Sequence, residues 1–218
     1  MRPVLCLITE RRRWADEAAL LASVAAAAHA GVHLIQVREH DLEGLALVSL
    51  VRRCLAASRG TRARVLVNDR LDVALAAGAH GVHLRETSMQ ALDVRSMTPA
   101  GFLVGRSVHS LEGARQAAAQ GGLDYLVFGP VHPTTSKPGV PAAGLEALAA
   151  VVGSTSVPVL ALGGVDASAA GPIGQAGAAG MAAIGFWAGC LPVHMAAAAE
   201  AFSTAFVENR RQDARRGA

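Results

Sequence analysis

Six short apolar segments of the chain each end in residues that could bind a ligand or take part in catalysis. These residues are Gln36 and Arg38, Asn68 and Asp69, His83, Ser107 and His109, His132, and Gly163 and Gly164. Guanidinium groups bind anions, imidazoles carry protons near neutral pH, and carboxylates bind hard cations. In a barrel of parallel strands the carboxyl ends surround one pocket, so residues far apart in the sequence would share a single site.

Two glycine-containing segments predict a phosphate site. Gly163 and Gly164 follow the seventh apolar run, and the eighth run ends near Ile184 and Gly185. Glycines let backbone N–H groups approach an anion, and the loops after strands seven and eight of a barrel commonly hold a phosphate. The loop after the sixth run adds hydroxyl, imidazole and ammonium donors. These further donors are Thr134, Ser136, His132 and Lys137.

The residues after the second and third apolar runs predict a second polar group. Gln36 and Arg38 share one side of their strand, because side chains alternate along a strand. Arg38 could hold a phosphate or a carboxylate through two parallel hydrogen bonds. Asp69 could bind Mg²⁺ or a ring N–H. The alternative is structural: an ion pair of Arg38 with Glu39 or with Asp69.

Three histidines, His83, His109 and His132, stand at or near predicted strand ends. A neutral imidazole there could exchange protons near physiological pH. For each of them a structural role in the core or a loop is an equal alternative. The His, Cys and acidic residues show no zinc spacing, so the sequence predicts no zinc site.

Alternation of short apolar runs with Ala- and Leu-rich stretches predicts the elements that position these residues. The predicted strands are 4–9, 33–38, 64–68, 81–84, 103–108, 125–130, 157–162 and 181–185. The predicted helices are 14–30, 42–59, 71–78, 88–97, 111–121, 142–152, 168–177 and 193–207. Apolar strands separated by helices indicate a parallel sheet buried on both faces, and eight such units predict a (β/α)₈ TIM barrel. A doubly wound open sheet is the alternative.

Length and composition limit the possible classes of protein. The 218 residues fit one barrel domain over 1–211, followed by a disordered tail over 212–218. Hydrophobic residues make up 52% of the chain, but alanine dominates them and no run of about 18 apolar residues occurs, so we expect no membrane span. The chain enters a strand pattern at its first residues, which leaves no room for a signal peptide.

Charge and cysteine usage point to a cytoplasmic protein that does not bind nucleic acid. The net charge is only +3, and aromatic residues, which a nucleic-acid surface would interleave with basic ones, make up 4%. Cys6, Cys54 and Cys190 are scattered without metal-ligand spacing. Buried free thiols in a reducing cytoplasm are therefore expected.

Several segments together resemble one known family. They are 37–39, 67–74, 81–84, 129–131, 134–137 and 161–165. Their order and spacing are similar to those of the thiamine-phosphate synthase/TenI family, from Leu7 to the eighth strand. The resemblance implies a (β/α)₈ barrel that acts on a small phosphorylated thiazole in thiamine biosynthesis, and it points to a homodimer.

The synthase branch of that family joins hydroxymethylpyrimidine diphosphate to thiazole phosphate with Mg²⁺. His40 stands where the synthase motif has a lysine, and Ser88 stands where it has a second metal-binding aspartate. Asp69 remains, with Glu86 nearby, and these two would hold Mg²⁺ in a synthase. The absence of this lysine and of this aspartate argues against a synthase.

The TenI branch consists of thiazole tautomerases, which move a proton to aromatise a thiazole carboxylate phosphate without metal or organic cofactor. Segment 105–112 resembles this branch. Pro130 stands where such enzymes carry their proton-shuttling histidine. His132 lies two residues further on, and strand alternation would direct it to the same side.

From the resemblance we therefore predict a TenI-like tautomerase that needs no cofactor. His132, or else His109, would move the proton, and Arg38 and Lys137 would hold the substrate carboxylate. A Mg²⁺-dependent synthase and a catalytically silent thiazole-phosphate binder remain the alternatives. The sequence also leaves open whether Phe186 and Trp187 narrow the phosphate end of the pocket.

Overall fold

Eight parallel strands close into a barrel in chain order. The computed structural model describes residues 2–134 and 139–216, and side chains as far as residue 208. The first strand pairs with both the second and the eighth, with Cys6 opposite Leu34 on one side and Ala182 on the other. This closure confirms the predicted (β/α)₈ barrel and excludes the open doubly wound sheet.

The strands are short and close to their predicted positions. They are β1 Val4–Ile8, β2 Leu34–Val37, β3 Arg64–Asn68, β4 Gly81–Leu84, β5 Leu103–Val108, β6 Tyr125–Phe128, β7 Val159–Leu162 and β8 Gly180–Ala183. The helices are α1 Glu17–His29, α2 Gly44–Ala57, α3 Leu71–Ala77, α4 Ala91–Ser96, α5 Leu111–Gln120, α6 Gly144–Gly153, α7 Ala170–Gln175, α8 Gly185–Ala188 and α9 Met195–Arg216.

Alternate strand residues build two separate apolar layers. One layer joins the strands to the surrounding helices, with Ile35, Val65 and Leu126 fully buried in it. The other fills the barrel interior, and its buried members are Cys6, Ile8, Leu34, Leu66, Tyr125, Val127, Leu160 and Ala182. The interior is thus packed with side chains.

The carboxyl-terminal part of the chain differs from its prediction. Strand β8 ends at Ala183, and a short helix α8 replaces the expected end of the strand at 184–185. Helix α9 continues to Arg216, whereas the sequence predicts a disordered tail from residue 212. Phe202 and Phe206 of α9 are fully buried. Within the described residues, no helix has both the length and the apolar character that crossing a bilayer requires.

The cysteines are free thiols, as expected. Cys6 and Cys54 are buried, and their burial raises the pKa of each thiol to about 12. Cys190 is partly exposed, which differs from the prediction that all would be buried.

Candidate active site

A cavity of about 700 Å³ lies at the carboxyl ends of the strands. Most of the residues predicted for the site line it. Those residues are Gln36, Arg38, Asn68, His83, Ser107, His109, Thr134, Gly163, Gly164, Ile184 and Gly185, together with Glu86. Asp69 and His132 are outside this lining. Ser136 and Lys137 lie outside the described residues.

Strands β2 and β3 place an amide pair on the cavity wall. The Gln36 Nε2 donates to Asn68 Oδ1 over 2.9 Å. Gln36 is only 2% exposed, and its Oε1 accepts no hydrogen bond from any described residue. A buried acceptor without a donor is costly, and Oε1 is such an acceptor in a residue that lines the cavity.

Arg38 is not used in a structural ion pair. Its neighbour Glu39 is buried and accepts hydrogen bonds from the Thr9 hydroxyl at 2.5 Å and from the backbone N–H of Arg11 at 2.9 and 3.0 Å. Burial raises the pKa of Glu39, against these hydrogen bonds. The guanidinium of Arg38 has no partner among the described residues and lines the cavity, which leaves it available to an anion.

Asp69 binds the loop after β4. Its Oδ2 lies 2.5 Å from an Arg85 guanidinium nitrogen, and its Oδ1 accepts a hydrogen bond from the Ser88 hydroxyl. Arg85 also lines the main cavity, beside Arg38 and His40. Burial and then the charges of Arg38 and Arg85 lower the pKa of His40, so this edge of the cavity is electropositive.

The loop after β4 is held by Arg106, a residue of β5 that is only 5% exposed. Its guanidinium donates to the carbonyl oxygens of Arg85 at 3.1 Å and Glu86 at 2.9 Å, and also to that of Met89. Burial lowers the pKa of Arg106. The sequence does not identify this structural role, because it depends on the path of a loop 20 residues away.

His83 is a buried orienting group. It is hydrogen bonded through Nδ1 to the Tyr125 hydroxyl at 3.0 Å and through Nε2 to Ser107 Oγ at 2.9 Å. Burial, with a smaller contribution from the charge of Arg106, lowers the pKa of His83 to about 3. His83 is therefore neutral at physiological pH and fixes the Ser107 hydroxyl at the cavity wall.

His109 presents an open ring nitrogen to the cavity. Its Nδ1 donates to the carbonyl oxygen of Gly129 over 2.7 Å, which makes Nε2 the unprotonated nitrogen of the neutral ring. No described residue bonds to Nε2. The His109 backbone N–H donates to Glu86 Oε1 at 3.2 Å, and this contact turns Glu86 toward the start of α5.

His132 lies behind the cavity wall. Its backbone N–H donates to the Gly163 carbonyl at 3.0 Å, and its Nε2 is buried with no hydrogen-bond partner among the described residues. Strand β6 ends at Phe128, so strand alternation does not extend to residue 132. This placement does not favour the predicted proton-shuttling role.

The opposite side of the cavity is formed by backbone. Gly163 and Gly164 have φ angles of +97° and +60°. A Cβ on Gly163 would lie 2.6 Å from the Pro130 side chain, and one on Gly164 would lie 2.5 Å from the Pro133 carbonyl oxygen. The N–H groups of both glycines donate to no acceptor in the described part of the chain, so they are free to bind an anion.

The two large side chains after β8, Phe186 and Trp187, belong to helix α8 and lie in different surroundings. Phe186 lines the cavity next to Gly185, at the end that the sequence predicts for a phosphate. Trp187 is fully buried, and its Nε1 donates to the Cys6 carbonyl oxygen at 3.0 Å. Phe186 alone therefore borders the ligand space.

The described residues do not fit a magnesium ion. Among them, no group of three or more His, Cys, Asp and Glu side chains could hold a metal. Asp69 gives its two carboxylate oxygens to Arg85 and Ser88, while Glu86 binds the His109 backbone. Both carboxylates that would hold Mg²⁺ in a synthase are thus hydrogen bonded to other groups of the protein.

A family model and the curated relatives both match this chain to thiamine-phosphate synthases. The family model described as thiamine monophosphate synthase (TMP-TENI) matches residues 5–186. A Geobacter sulfurreducens protein, provisionally named a thiamine-phosphate synthase, is 44% identical over 182 residues, covering 83% of this chain and 84% of that protein. The thiamine-phosphate synthase of Anaeromyxobacter dehalogenans is 42% identical over 75% of this chain and 73% of its own.

A solved structure also shares the fold. Thiamine phosphate pyrophosphorylase from Pyrococcus furiosus superposes with a TM-score of 0.80 and 31% sequence identity. The match covers 94% of this chain and 96% of that one.

Proposed function

We propose that this chain, which belongs to the thiamine monophosphate synthase family, joins hydroxymethylpyrimidine diphosphate to thiazole phosphate. In this reaction the thiazole nitrogen forms a bond to the pyrimidine methylene carbon. The bond from that carbon to oxygen breaks, and diphosphate leaves with the electron pair. This proposal reverses the preference for a tautomerase that the sequence gives, because the named relatives and the charge distribution of the cavity support the synthase better.

One observation carries the proposal: the cavity has two ends on opposite sides of the barrel whose groups are suited to anions. Arg38, His40 and Arg85 line the end formed by β2 and β4. The backbone of Gly163, Gly164 and Gly185 lines the end formed by β7 and β8. In a closed barrel of eight strands these groups face each other. A condensation of two phosphorylated substrates needs two such ends, and at the first of them Arg38 has no partner among the described residues, while Arg85 shares its guanidinium with Asp69.

The residues between the two ends suit the reacting rings. Gln36, held by Asn68, lines this part of the cavity and would pack against the pyrimidine ring. The Ser107 hydroxyl, fixed by His83, lies on the same wall. Arg38 and His40 would hold the diphosphate, and binding of that anion would raise the lowered pKa of His40.

The thiazole phosphate would bind at the glycine end. Gly163, Gly164 and Gly185 would donate backbone N–H groups, and Thr134 would border the phosphate. Roles for Ser136 and Lys137 at the same end stay proposals, since both lie outside the described residues. All these residues belong to one chain, so formation of a homodimer would leave the assignment unchanged.

A thiazole tautomerase is the second candidate, and the position of His109 favours it. The Gly129 carbonyl fixes the ring tautomer, and Nε2 is left as a proton acceptor at the cavity. Such a group could remove and return a proton on a bound thiazole carboxylate phosphate. In this candidate the electropositive end would bind the carboxylate.

The test gives the purified protein both sets of substrates. Hydroxymethylpyrimidine diphosphate and thiazole phosphate are supplied together, and thiamine phosphate is measured by fluorescence after oxidation to the thiochrome. In parallel, the non-aromatic thiazole carboxylate phosphate is supplied alone, and aromatisation is followed by ultraviolet absorbance. An Arg38→Met variant controls for contaminating activity.

The outcomes separate the candidates. Thiamine phosphate formation that Arg38→Met abolishes supports the synthase. Aromatisation without condensation would refute the synthase and support the tautomerase. Binding of thiazole phosphate without either turnover would leave the silent binding protein.

A further inference from the structure

The loop after β4 places a fixed positive charge beside the acidic residue at the end of β3. Asp69 adopts a left-handed backbone conformation, with φ of 58°. Its backbone N–H donates to the His83 carbonyl oxygen at 2.8 Å, which ties it to β4. Its side chain is 16% exposed and contacts the Arg85 guanidinium at 2.5 Å. The carboxylate is thus directed at an arginine.

Ser88 completes the contact from the same loop. Its hydroxyl donates to Asp69 Oδ1, and it is also within 3.2 Å of the Arg85 backbone N–H. A serine binds a carboxylate by donating a proton, whereas a second carboxylate at this position would repel Asp69 unless a cation lay between them. The pair of Ser88 and Arg85 therefore neutralises Asp69 without an added ion.

Arg106, a buried residue of β5, fixes the backbone of the loop that carries Arg85. Buried Arg106 donates to the carbonyl oxygens of residues 85, 86 and 88 at 3.1, 2.9 and 3.5 Å. These bonds hold the loop backbone, so Arg85 starts from a fixed point even though its side chain is 65% exposed. The loop thus delivers the guanidinium to the same cavity edge as Arg38.

We propose that the guanidinium of Arg85 takes the place of a divalent cation in this chain, and that it binds the substrate diphosphate directly without a metal. The proposal rests on the function proposed above. A guanidinium has five N–H donors in a fixed fork that matches phosphate oxygens. One edge contacts Asp69, and the other donors are available to the diphosphate. Asp69 then acts as a positioning residue for Arg85.

The test measures binding of inorganic diphosphate by calorimetry, with EDTA and separately with excess Mg²⁺ after correction for the magnesium–diphosphate complex. The wild-type affinity should agree within about twofold between the two conditions. Arg85→Ala should weaken binding in EDTA by about tenfold to a hundredfold, the range for a hydrogen bond to a charged group. Arg85→Lys keeps the positive charge but loses the planar arrangement of N–H donors. Its affinity for diphosphate should lie between those of wild type and Arg85→Ala.

Two controls make the result specific. Arg115→Ala removes an equal charge from an exposed position on α5 outside the cavity lining, and should leave the affinity unchanged. The double variant Arg85→Gly/Ser88→Asp restores a second carboxylate, and it should gain Mn²⁺ binding by electron paramagnetic resonance that the wild type lacks. Circular dichroism checks that each variant is folded.

The proposal is overturned if wild-type protein binds diphosphate only with Mg²⁺, or if Arg85→Ala binds as tightly as wild type. Its failure is distinguishable from failure of the proposed function. Arg85-dependent diphosphate binding without thiamine phosphate formation would refute the synthase and leave the metal-free anion site. Condensation that stops in EDTA would support the synthase and refute the metal-free binding of diphosphate.

Discussion

The ring of Tyr125 occupies the space that any side chain on residue 105 would need. A Cβ on Gly105 would lie 2.1 Å from Tyr125 Cζ and 2.5 Å from its hydroxyl oxygen. The two residues are register partners on β5 and β6. Glycine at this position thus allows the Tyr125 hydroxyl to reach His83, and through His83 it sets the position of Ser107 at the cavity.

Replacement of Gly105 by alanine should therefore destabilise the barrel and disturb the site. The added methyl group must displace a buried ring, and overpacking of this kind costs about 1–3 kcal/mol. The free energy of unfolding is measured by urea denaturation. Gly153→Ala is the matched control: it is an exposed helical position with nothing within 4 Å of the added Cβ. That variant should be neutral or slightly more stable, and equal stability of the two variants would contradict the argument.

His83 should make the stability of the protein depend on pH. Its pKa is about 3 in the folded state, against 6.5 for an unperturbed histidine. Between these values the unfolded chain binds the extra proton, so the contribution of His83 is complete above pH 6.5 and is lost progressively as pH falls toward 3. From pH 6.5 to 5, this residue should lower the free energy of unfolding by up to about 2 kcal/mol.

The measurement compares urea unfolding at pH 7 and pH 5 for wild type and His83→Gln. Glutamine does not titrate, so the difference between the two pH values should shrink in the variant. His29→Gln, at an exposed position on α1, should retain the wild-type difference. An unchanged pH dependence in His83→Gln would show that the imidazole does not stay neutral in the fold.

The sequence predicts the strand ends well, because a buried parallel strand leaves a continuous apolar run whose end is visible. Gln36 and Arg38 are expected on one side of β2, and both line the cavity. Arg85 is missed, although it is the first residue after the buried strand residue Leu84 and this position is itself a signal. The role of Arg106 depends on the folding of loop 85–89 over its guanidinium, and no local pattern encodes that.

Replacement of Gly164 by alanine should weaken the binding of thiazole phosphate at the glycine end of the cavity. Alanine is strained at a φ of +60°, and its Cβ would meet the Pro133 carbonyl oxygen and the His132 Cβ at 2.5 and 2.7 Å. The loop would have to move, which would redirect the N–H groups that face the cavity. We expect the KM for thiazole phosphate to rise tenfold or more, while the affinity for diphosphate at the other end stays within about twofold.

A second glycine separates backbone strain from loss of the site. Gly60 has a φ of +80° with nothing within 4 Å of an added Cβ, and it lies outside the main cavity. Gly60→Ala should cost about 1–2 kcal/mol of stability without changing either affinity. If Gly60→Ala raised the KM for thiazole phosphate as much as Gly164→Ala does, the effect at residue 164 would be general destabilisation.

His109, which follows β5, and His132, which follows β6, should behave differently in any proton transfer. His109 keeps Nε2 free of any described partner at the cavity, whereas His132 lies outside the cavity lining and keeps Nε2 buried. A residue that takes the proton is worth about 10²–10⁴ in rate. Aromatisation of the thiazole carboxylate phosphate should thus fall by at least 10² in His109→Ala and by less than tenfold in His132→Ala. The opposite ranking would mean that the loop after β6 turns His132 into the cavity when ligand binds, because only a group at the cavity can reach the substrate proton.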